Sequence, residues 1–221
     1  MRLEIGTPAL AGNQRTAAGI RDGLASRGWV ALNLISSPGS GKTTLLEATL
    51  PLLAERQPVA VIDGDVETDR DAERLARLGI RAVQVETGGA CHLDARMVER
   101  ALAALSLDAG PAAAPGLLFI ENVGNLVCPA EYDLGESLRV VLLSTPEGCD
   151  KVAKYPEVFR TADLLLVTKI DLAPYTDWQT ERVRQDLQAL NPRLPLLEVS
   201  ARTGEGMEAW LAWIESRTAR I

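Results

Sequence analysis

The chain has few of the residues from which metal sites, disulfide frameworks and nucleic-acid surfaces are usually built. It contains one histidine and three cysteines in 221 residues, and aromatic residues make up only 4%. Three widely separated cysteines do not form a disulfide framework, so we interpret them as free thiols or metal ligands. The net charge of -7 argues against a surface that neutralises phosphates, and we expect no nucleic-acid partner.

Long apolar segments are also missing. Residues 1–30 contain no continuous apolar run of signal-peptide length, and no apolar span of about 18 residues occurs elsewhere. We therefore expect a cytoplasmic protein with no membrane association. Because 47% of the residues are apolar, the chain can bury one sizeable core. We predict a single domain over residues 1–221, with residues 1–29 as a partly helical lead-in.

Short apolar or β-branched runs alternate with longer amphipathic segments, which is typical of βαβ units and a parallel sheet. Several of the runs are apolar throughout, as strands buried on both faces should be. The predicted strands are 30–36, 59–63, 82–86, 116–122, 138–144, 163–169 and 195–200, and the predicted helices are 42–56, 69–79, 94–105, 180–190 and 206–217. The pattern predicts an α/β fold with a mostly parallel seven-stranded sheet flanked by helices on both faces.

The segment "SSPGSGKTT" lies between the first predicted strand and the first predicted helix after it. Its glycines allow the backbone to wrap around phosphate, and the helix N-terminus favours negative charge. Lys42 adds a mobile charge for binding and catalysis, and Thr43 places a hydroxyl on magnesium. The segment departs from the template G-x-x-x-x-G-K-[ST] only at its first position, where Ser36 replaces glycine. We predict a P-loop NTPase whose nucleotide contacts include Pro38, Gly39, Ser40, Gly41, Lys42, Thr43 and Thr44.

Two later segments favour a guanine base over adenine. In "VTKIDL", Asp171 can accept hydrogen bonds from N1 and N2 of guanine, and the stem of Lys169 can cover the base. In "VSARTGEG", Ser200 and Ala201 would bring backbone amides to the guanine oxygen. Both segments follow predicted strands, in the chain order that a GTPase requires. Thr168 replaces the usual asparagine, which removes one amide contact with the base.

Carboxylates follow the second and fourth predicted strands, in "VIDGDVETDRDAER" and "LLFIENVGN". Phosphoryl transfer needs an acidic group for magnesium and a group that positions the attacking water. We assign Asp65 and Glu121 to the magnesium region and Asp71 to orienting the water. For Asp69 and Asp71, a helix cap with favourable first-turn charge is the alternative interpretation.

Cys91 and His92 precede a predicted helix, and Cys128 follows Glu121 in the segment where GTPases carry a nucleotide-sensing switch. Two thiolates and an imidazole suit zinc, or nickel in a planar arrangement. The alternative is that both cysteines are buried small apolar residues and the histidine is a helix cap. The spacing leaves both interpretations open.

Taken together, these motifs resemble one protein family. The segments "SSPGSGKTTLLEATL", "DGDVETDRDAERL", "TGGACHLDARMVERAL", "LLFIENVGNLVCPAEYDLGE", "KVAKYP", "VTKIDLAPY" and "SARTGEGMEAWLAW" are similar to the GTPase domain of the hydrogenase nickel-incorporation proteins, the HypB family. The resemblance covers residues 30–215 and implies a SIMIBI-type G domain. It also implies a GTP-hydrolysing metallochaperone that uses GTP, magnesium, and nickel or zinc.

The family resemblance has implications for partners and ligands as well. It implies a homodimer promoted by GTP, a nickel-binding accessory protein of the HypA type, and the large subunit of [NiFe]-hydrogenase as the recipient of nickel. Cys91, His92 and Cys128 match the cysteines and histidine that bind nickel or zinc at the family's dimer interface. The N-terminus lacks cysteine and histidine, so we expect no second metal-storage site. Cys149 lies outside the family's metal pattern, and we interpret it as an incidental free thiol.

Three alternative functions stay open at this level. Urease accessory GTPases share the fold and the nickel chemistry, although the "CHLDA" and "NLVCPA" segments favour the hydrogenase family. The chain could also be a P-loop kinase or ATPase with structural cysteines. The third alternative is a GTP-binding scaffold that hardly hydrolyses, because Thr168 alters the guanine element.

Overall fold

The computed structural model, which describes residues 7–64, 74, 78–108 and 115–218, contains a seven-stranded parallel sheet. The strand order is β3-β2-β4-β1-β5-β6-β7, and all neighbouring strands pair in parallel. The strands are β1 Trp29–Ser36, β2 Val59–Asp63, β3 Arg81–Gln84, β4 Gly116–Glu121, β5 Leu138–Ser144, β6 Leu164–Thr168 and β7 Leu196–Glu198. The predicted α/β sheet is therefore confirmed, and each strand end lies within two residues of its predicted position.

Helices connect these strands. They are α1 Thr7–Ser26, α2 Lys42–Ala54, α3 Ala95–Leu105, α4 Cys128–Glu131, α5 Lys151–Lys154, α6 Pro156–Arg160, α7 Thr180–Leu190 and α8 Met207–Thr218, with 3₁₀ turns at Thr145–Glu147 and Ile170–Tyr175. Helix α1 occupies most of the lead-in that was expected to be partly helical. Most of the predicted helix 69–79 lies outside the described residues. Among the helices that the structure describes, none has both the length and the apolar composition needed to cross a bilayer.

Side chains of the central strands alternate between two apolar layers, because successive residues of a strand point to opposite faces. Leu32 and Leu34 of β1 belong to the cluster that includes α2 and α8. Trp29 and Ala31 face the other side and pack with α1 and α3, whereas Ile35 belongs to the cluster around α6 and α7. All residues of β1 and β4 are buried. Helices therefore cover both faces of the sheet.

The carboxyl ends of all seven strands lie along one edge of the sheet, because every strand pair is parallel. From β1 the chain passes to β2, toward the β3 edge of the sheet, whereas from β4 it passes to β5, toward the β7 edge. Ligands of open α/β sheets bind where successive connections diverge in this way. The loops after β1, β2, β4 and β6 are therefore the loops in which a site is expected.

Gly206, in the loop before α8, gives a test of this packing. Its φ is +73°, and a Cβ there would collide with the carbonyl oxygen of Glu198 at the end of β7. We expect Gly206→Ala to lower the free energy of unfolding by more than about 2 kcal/mol, since backbone strain and a steric clash add. Urea denaturation measures the loss.

Gly204→Ala is the matched control. Gly204 also has a positive φ, of +84°, but a Cβ there would have no neighbour within 4 Å. We expect this variant to lose only about 1 kcal/mol, from backbone strain alone. Equal losses in the two variants would contradict the collision with β7.

Candidate nucleotide and metal site

The phosphate loop begins directly after β1 and ends at the first residue of α2. Gly41 caps the helix with a φ of 93°, a left-handed conformation that glycine adopts without strain. Lys42 Nζ donates a hydrogen bond to Ser36 Oγ at 2.9 Å. Ser36 stands where the usual motif has glycine, and its buried hydroxyl holds the lysine over the loop. The loop therefore has a geometry that suits phosphate binding even though serine replaces glycine at position 36.

A cavity of about 450 Å³ opens beside this loop. The hydroxyl of Thr43 donates to Glu121 Oε1 at 2.9 Å, and Asp63 pairs in register with Glu121 across β2 and β4. Hydroxyl and carboxylate oxygens are the ligands that magnesium prefers, so this donor set fits the ion. The residues lining the cavity are Pro38, Gly39, Gly41, Lys42, Thr43, Thr44, Asp63, Gly64, Arg74, Glu121, Asn122, Val123, Gly124 and Lys169.

The sequence assigned no role to two charged residues of this cavity, Asp63 and Arg74. Asp63 is 1% exposed at the end of β2, and a carboxylate that closes an apolar strand is the signal that could have identified it. Arg74 also lines the cavity, where Glu47 of α2 holds its guanidinium, with Nε and Oε1 2.7 Å apart. Asp65 and Asp71, which the sequence favoured for magnesium and water, lie outside the described residues.

A second cavity, of about 250 Å³, lies next to the first and suits a purine base. Ser200 Oγ donates to Asp171 Oδ1 at 2.7 Å, which orients the carboxylate. Lys169 has a left-handed backbone, and its Nζ donates to the carbonyl oxygen of Gly39 at 2.5 Å. Its stem therefore runs between the two cavities. The lining residues are Ser40, Gly41, Thr44, Leu45, Thr168, Lys169, Asp171, Leu172, Val199, Ser200, Ala201 and Arg202.

Thr168 supports the phosphate loop from below. Its hydroxyl donates to the carbonyl oxygen of Ser40 at 2.7 Å in a buried contact. Ser40 Oγ in turn donates to Glu147 Oε2 at 2.6 Å. Burial pushes the pKa of Glu147 upward, but hydrogen bonds from Ser144, Ser37 and Ser40 outweigh this and hold the pKa below its ordinary value. Glu147 is thus an ionised brace for the loop, which sequence motifs did not reveal.

The three predicted metal ligands are close together. Their ligand atoms all lie within 4.8 Å of one another, with Cys91 Sγ 3.1 Å from Cys128 Sγ and 3.6 Å from His92 Nδ1. Cys128 is the first residue of α4, and Cys91 and His92 lie just before Asp94, the N-cap of α3. The ring of His92 packs on Tyr132, with centroids 4.0 Å apart. The arrangement can accept a soft divalent cation near the surface.

Protons compete with a metal ion more strongly at Cys128 than at His92 in this cluster. The two largest effects on the pKa of Cys128 both raise it: the larger is contact with the Cys91 thiol, and the smaller is partial burial. Burial lowers the pKa of His92, which keeps the imidazole neutral and available as a ligand. A cation that binds the Cys128 thiol therefore displaces its proton, and affinity rises with pH.

Cys149 is separate from this cluster. It is buried, and its sulfur accepts a hydrogen bond from the backbone N–H of Gln179 at 3.0 Å. It thus connects the 3₁₀ turn after β5 to the segment before α7, as expected of a thiol outside the metal pattern.

Comparisons with known proteins agree with this geometry. The nucleotide-binding domain model of the CobW/HypB/UreG family matches residues 30–198. The hydrogenase maturation factor HypB of Azotobacter vinelandii is 52% identical over 213 residues, which are 96% of this chain and 69% of that protein. More distant solved structures, such as FlhF complexed with GMPPNP and magnesium at 14% identity and a TM-score of 0.51, share only the fold.

Two solved structures are closer. HypB from Helicobacter pylori in complex with nickel has a TM-score of 0.86 and 38% identity, over 95% of this chain and 96% of that one. The hydrogenase maturation factor HypB from Archaeoglobus fulgidus has a TM-score of 0.85 and 40% identity, over 94% of this chain and 99% of that one. The chain therefore belongs to the CobW/HypB/UreG nucleotide-binding family and, within it, to the HypB hydrogenase maturation factors.

Proposed function

We propose that the protein is a GTP-hydrolysing metallochaperone that delivers nickel for the maturation of the [NiFe]-hydrogenase large subunit. The observation that carries this proposal is the cluster of Cys91, His92 and Cys128, whose ligand atoms lie within 4.8 Å of one another. Cys128 of this cluster follows residues 121–124, which line the phosphate cavity. Membership of the HypB maturation factors supports the same assignment.

The base cavity supports GTP as the nucleotide. Asp171 is held by Ser200, so its carboxylate can accept both guanine N–H groups without reorganising. Adenine offers no such donor pair, and unmatched buried polar groups are costly. Lys169 covers one side of the base, while Ala201 belongs to the loop whose amides would meet the guanine oxygen.

Hydrolysis requires charge neutralisation and an aligned water. The hydroxyl of Thr43 and the carboxylates of Asp63 and Glu121 would hold magnesium or its water ligands, and Asp65 remains a proposed ligand. Magnesium, when bound, neutralises phosphate oxygens. Lys42, whose Nζ donates to Ser36 Oγ, would contact the phosphates. Asp71 remains our proposed residue for orienting the attacking water.

We propose nickel as the cargo, and the donor set can accept it. Two thiolates and one imidazole occupy three positions of a planar site, which leaves the fourth for a second copy of this chain or for the recipient. Zinc would use the same ligands in a tetrahedral arrangement. We propose that GTP promotes a homodimer at this surface, and that a nickel-binding accessory protein of the HypA type exchanges metal with it.

Asp171 tests the choice of base. We expect Asp171→Asn to weaken GTP binding roughly 10- to 100-fold, because a carboxylate that accepts two hydrogen bonds is lost. ATP affinity should change little. Competition between GTP, GDP and ATP for a fluorescent guanine nucleotide measures both. The control is Asp177→Asn, which makes the same change at an exposed position outside the cavity. Unchanged GTP affinity in Asp171→Asn would refute the base assignment.

Glu121 tests the magnesium site. We expect Glu121→Gln to raise the magnesium concentration needed for half-maximal GTP hydrolysis by about tenfold or more, since a neutral amide attracts the ion less. Single-turnover phosphate release at varied magnesium measures this requirement. Glu86→Gln is the matched control, because Glu86 is exposed and does not line the cavity. An identical requirement in both variants and the parent would argue against magnesium at Glu121.

The cysteines test the metal cluster. We expect Cys91→Ser and Cys128→Ser each to weaken Ni(II) binding by at least about 10-fold and to reduce the thiolate-to-nickel absorption, since serine is a poor ligand for soft cations. Cys149→Ser should bind like the parent, because Cys149 is buried outside the cluster. Titration of Ni(II), in competition with Zn(II), distinguishes these outcomes. Nickel binding that depended on Cys149 would overturn the proposed site.

A further inference from the structure

One buried side chain touches both the phosphate cavity and the loop that carries Cys91 and His92, here called the metal-binding loop. Asn122, directly after β4, is 1% exposed and lines the cavity. Its Oδ1 accepts a hydrogen bond from the backbone N–H of Leu93 at 3.2 Å. Leu93 is the residue after His92. A shift of Asn122 therefore acts on the residue next to His92, two residues from Cys91.

The amide of Asn122 has little freedom to turn. Its Oδ1 also accepts from the backbone N–H of Val123 at 3.0 Å, and its Nδ2 donates to Asn33 Oδ1 at 3.3 Å. Asn33 Nδ2 then donates to Glu136 Oε1 at 3.2 Å. Because these groups are buried, breaking any one bond is costly. The network fixes the direction in which Oδ1 meets the metal-binding loop.

Packing reinforces this hydrogen bond. Leu93 is fully buried, and a Cβ at Gly64 would lie only 2.8 Å from Leu93 Cδ1. Gly64 lines the phosphate cavity, and its N–H donates to the carbonyl oxygen of Glu121 at 2.8 Å. Leu93 thus lies against the ends of both strands that carry the acidic groups of the cavity.

The other end of the segment contacts the phosphate loop. A Cβ at Gly124 would lie 2.9 Å from Cα of Pro38, so the two backbones are in close contact. Glu121 accepts the hydroxyl hydrogen bond of Thr43. Residues 121–124 are therefore held between the phosphate loop on one side and Leu93 on the other. Cys128 continues from the same segment.

We propose that Asn122 is the positioning residue that couples occupation of the γ-phosphate position to the geometry of Cys91 and His92. This inference rests on the proposed function. Displacement of residues 121–124 by the γ-phosphate moves Oδ1 of Asn122, and the Leu93 N–H follows it. Coupling of this kind is reciprocal, so bound metal changes the affinity for GTP by the same factor.

Asn125 offers a matched control. Its Nδ2 donates to the carbonyl oxygen of Cys91 at 3.2 Å, so it holds the same loop. It does not line the phosphate cavity. Asn125→Ala removes this hydrogen bond together with those that the same side chain makes to Val127 N–H and to the Cys128 thiol, and it leaves the hydrogen bond between Asn122 and Leu93 in place.

The experiment measures the Ni(II) dissociation constant of the full chain with GDP and with a non-hydrolysable GTP analogue, both with magnesium. We expect the two values to differ by about fivefold or more in the parent. In Asn122→Ala the ratio should fall to about one. In Asn125→Ala the affinity should shift equally in both nucleotide states, so that the ratio is kept.

Each other outcome has a definite meaning. A parent ratio that survives in Asn122→Ala, or is lost equally in Asn125→Ala, overturns the role of Asn122 and leaves the proposed function standing. A ratio of one in the parent also overturns it. Absence of nickel binding in the parent overturns the proposed function itself. If Asn122→Ala does not fold, Asn122→Ser replaces it, because the serine hydroxyl is one bond too short to reach Leu93 N–H.

Discussion

Parallel pairing of fully buried strands is the constraint on which the rest of this structure depends. β1 lies between β4 and β5, and neither face of β1 or β4 meets water. Since the backbone groups of buried strands must be paired, the strands are held firmly in register. All their carboxyl ends then lie on one edge. The phosphate loop, the carboxylates and the proposed guanine element meet there because each stands at the carboxyl end of a strand.

The two kinds of metal chemistry are kept apart by their ligands. Oxygen donors from Thr43, Asp63 and Glu121 lie inside the phosphate cavity, where a hard cation is favoured. Sulfur and nitrogen donors lie in the loops that leave the same edge, nearer the surface, where a soft cation is favoured. In the proposed function, this separation lets one ion serve the nucleotide while the other is carried. The two donor sets have no residue in common.

Polar side chains next to the nucleotide cavities stabilise the phosphate loop through hydrogen bonds that the sequence motifs do not predict. Thr168 bonds the carbonyl of Ser40, and Glu147 accepts the hydroxyl of the same serine. The loop is thus held in shape from β6 and from the turn after β5 before any ligand arrives. A preformed loop binds phosphate without a large ordering cost. The threonine in the guanine element keeps this bracing role even though it lacks the amide of asparagine.

The sequence by itself determined the sheet, its strand boundaries and the phosphate loop, because these are local patterns with fixed spacing. The guanine element stays a prediction from the same kind of pattern. The sequence also identified Cys91, His92 and Cys128 as candidates, but their spacing left open whether they meet. Only the tertiary structure decided that, by bringing the start of α3 beside the start of α4. It likewise revealed Asp63, Glu147 and Asn122, whose contacts are made across strands far apart in the chain. Long-range contacts of this kind depend on strand order, and no short motif encodes them.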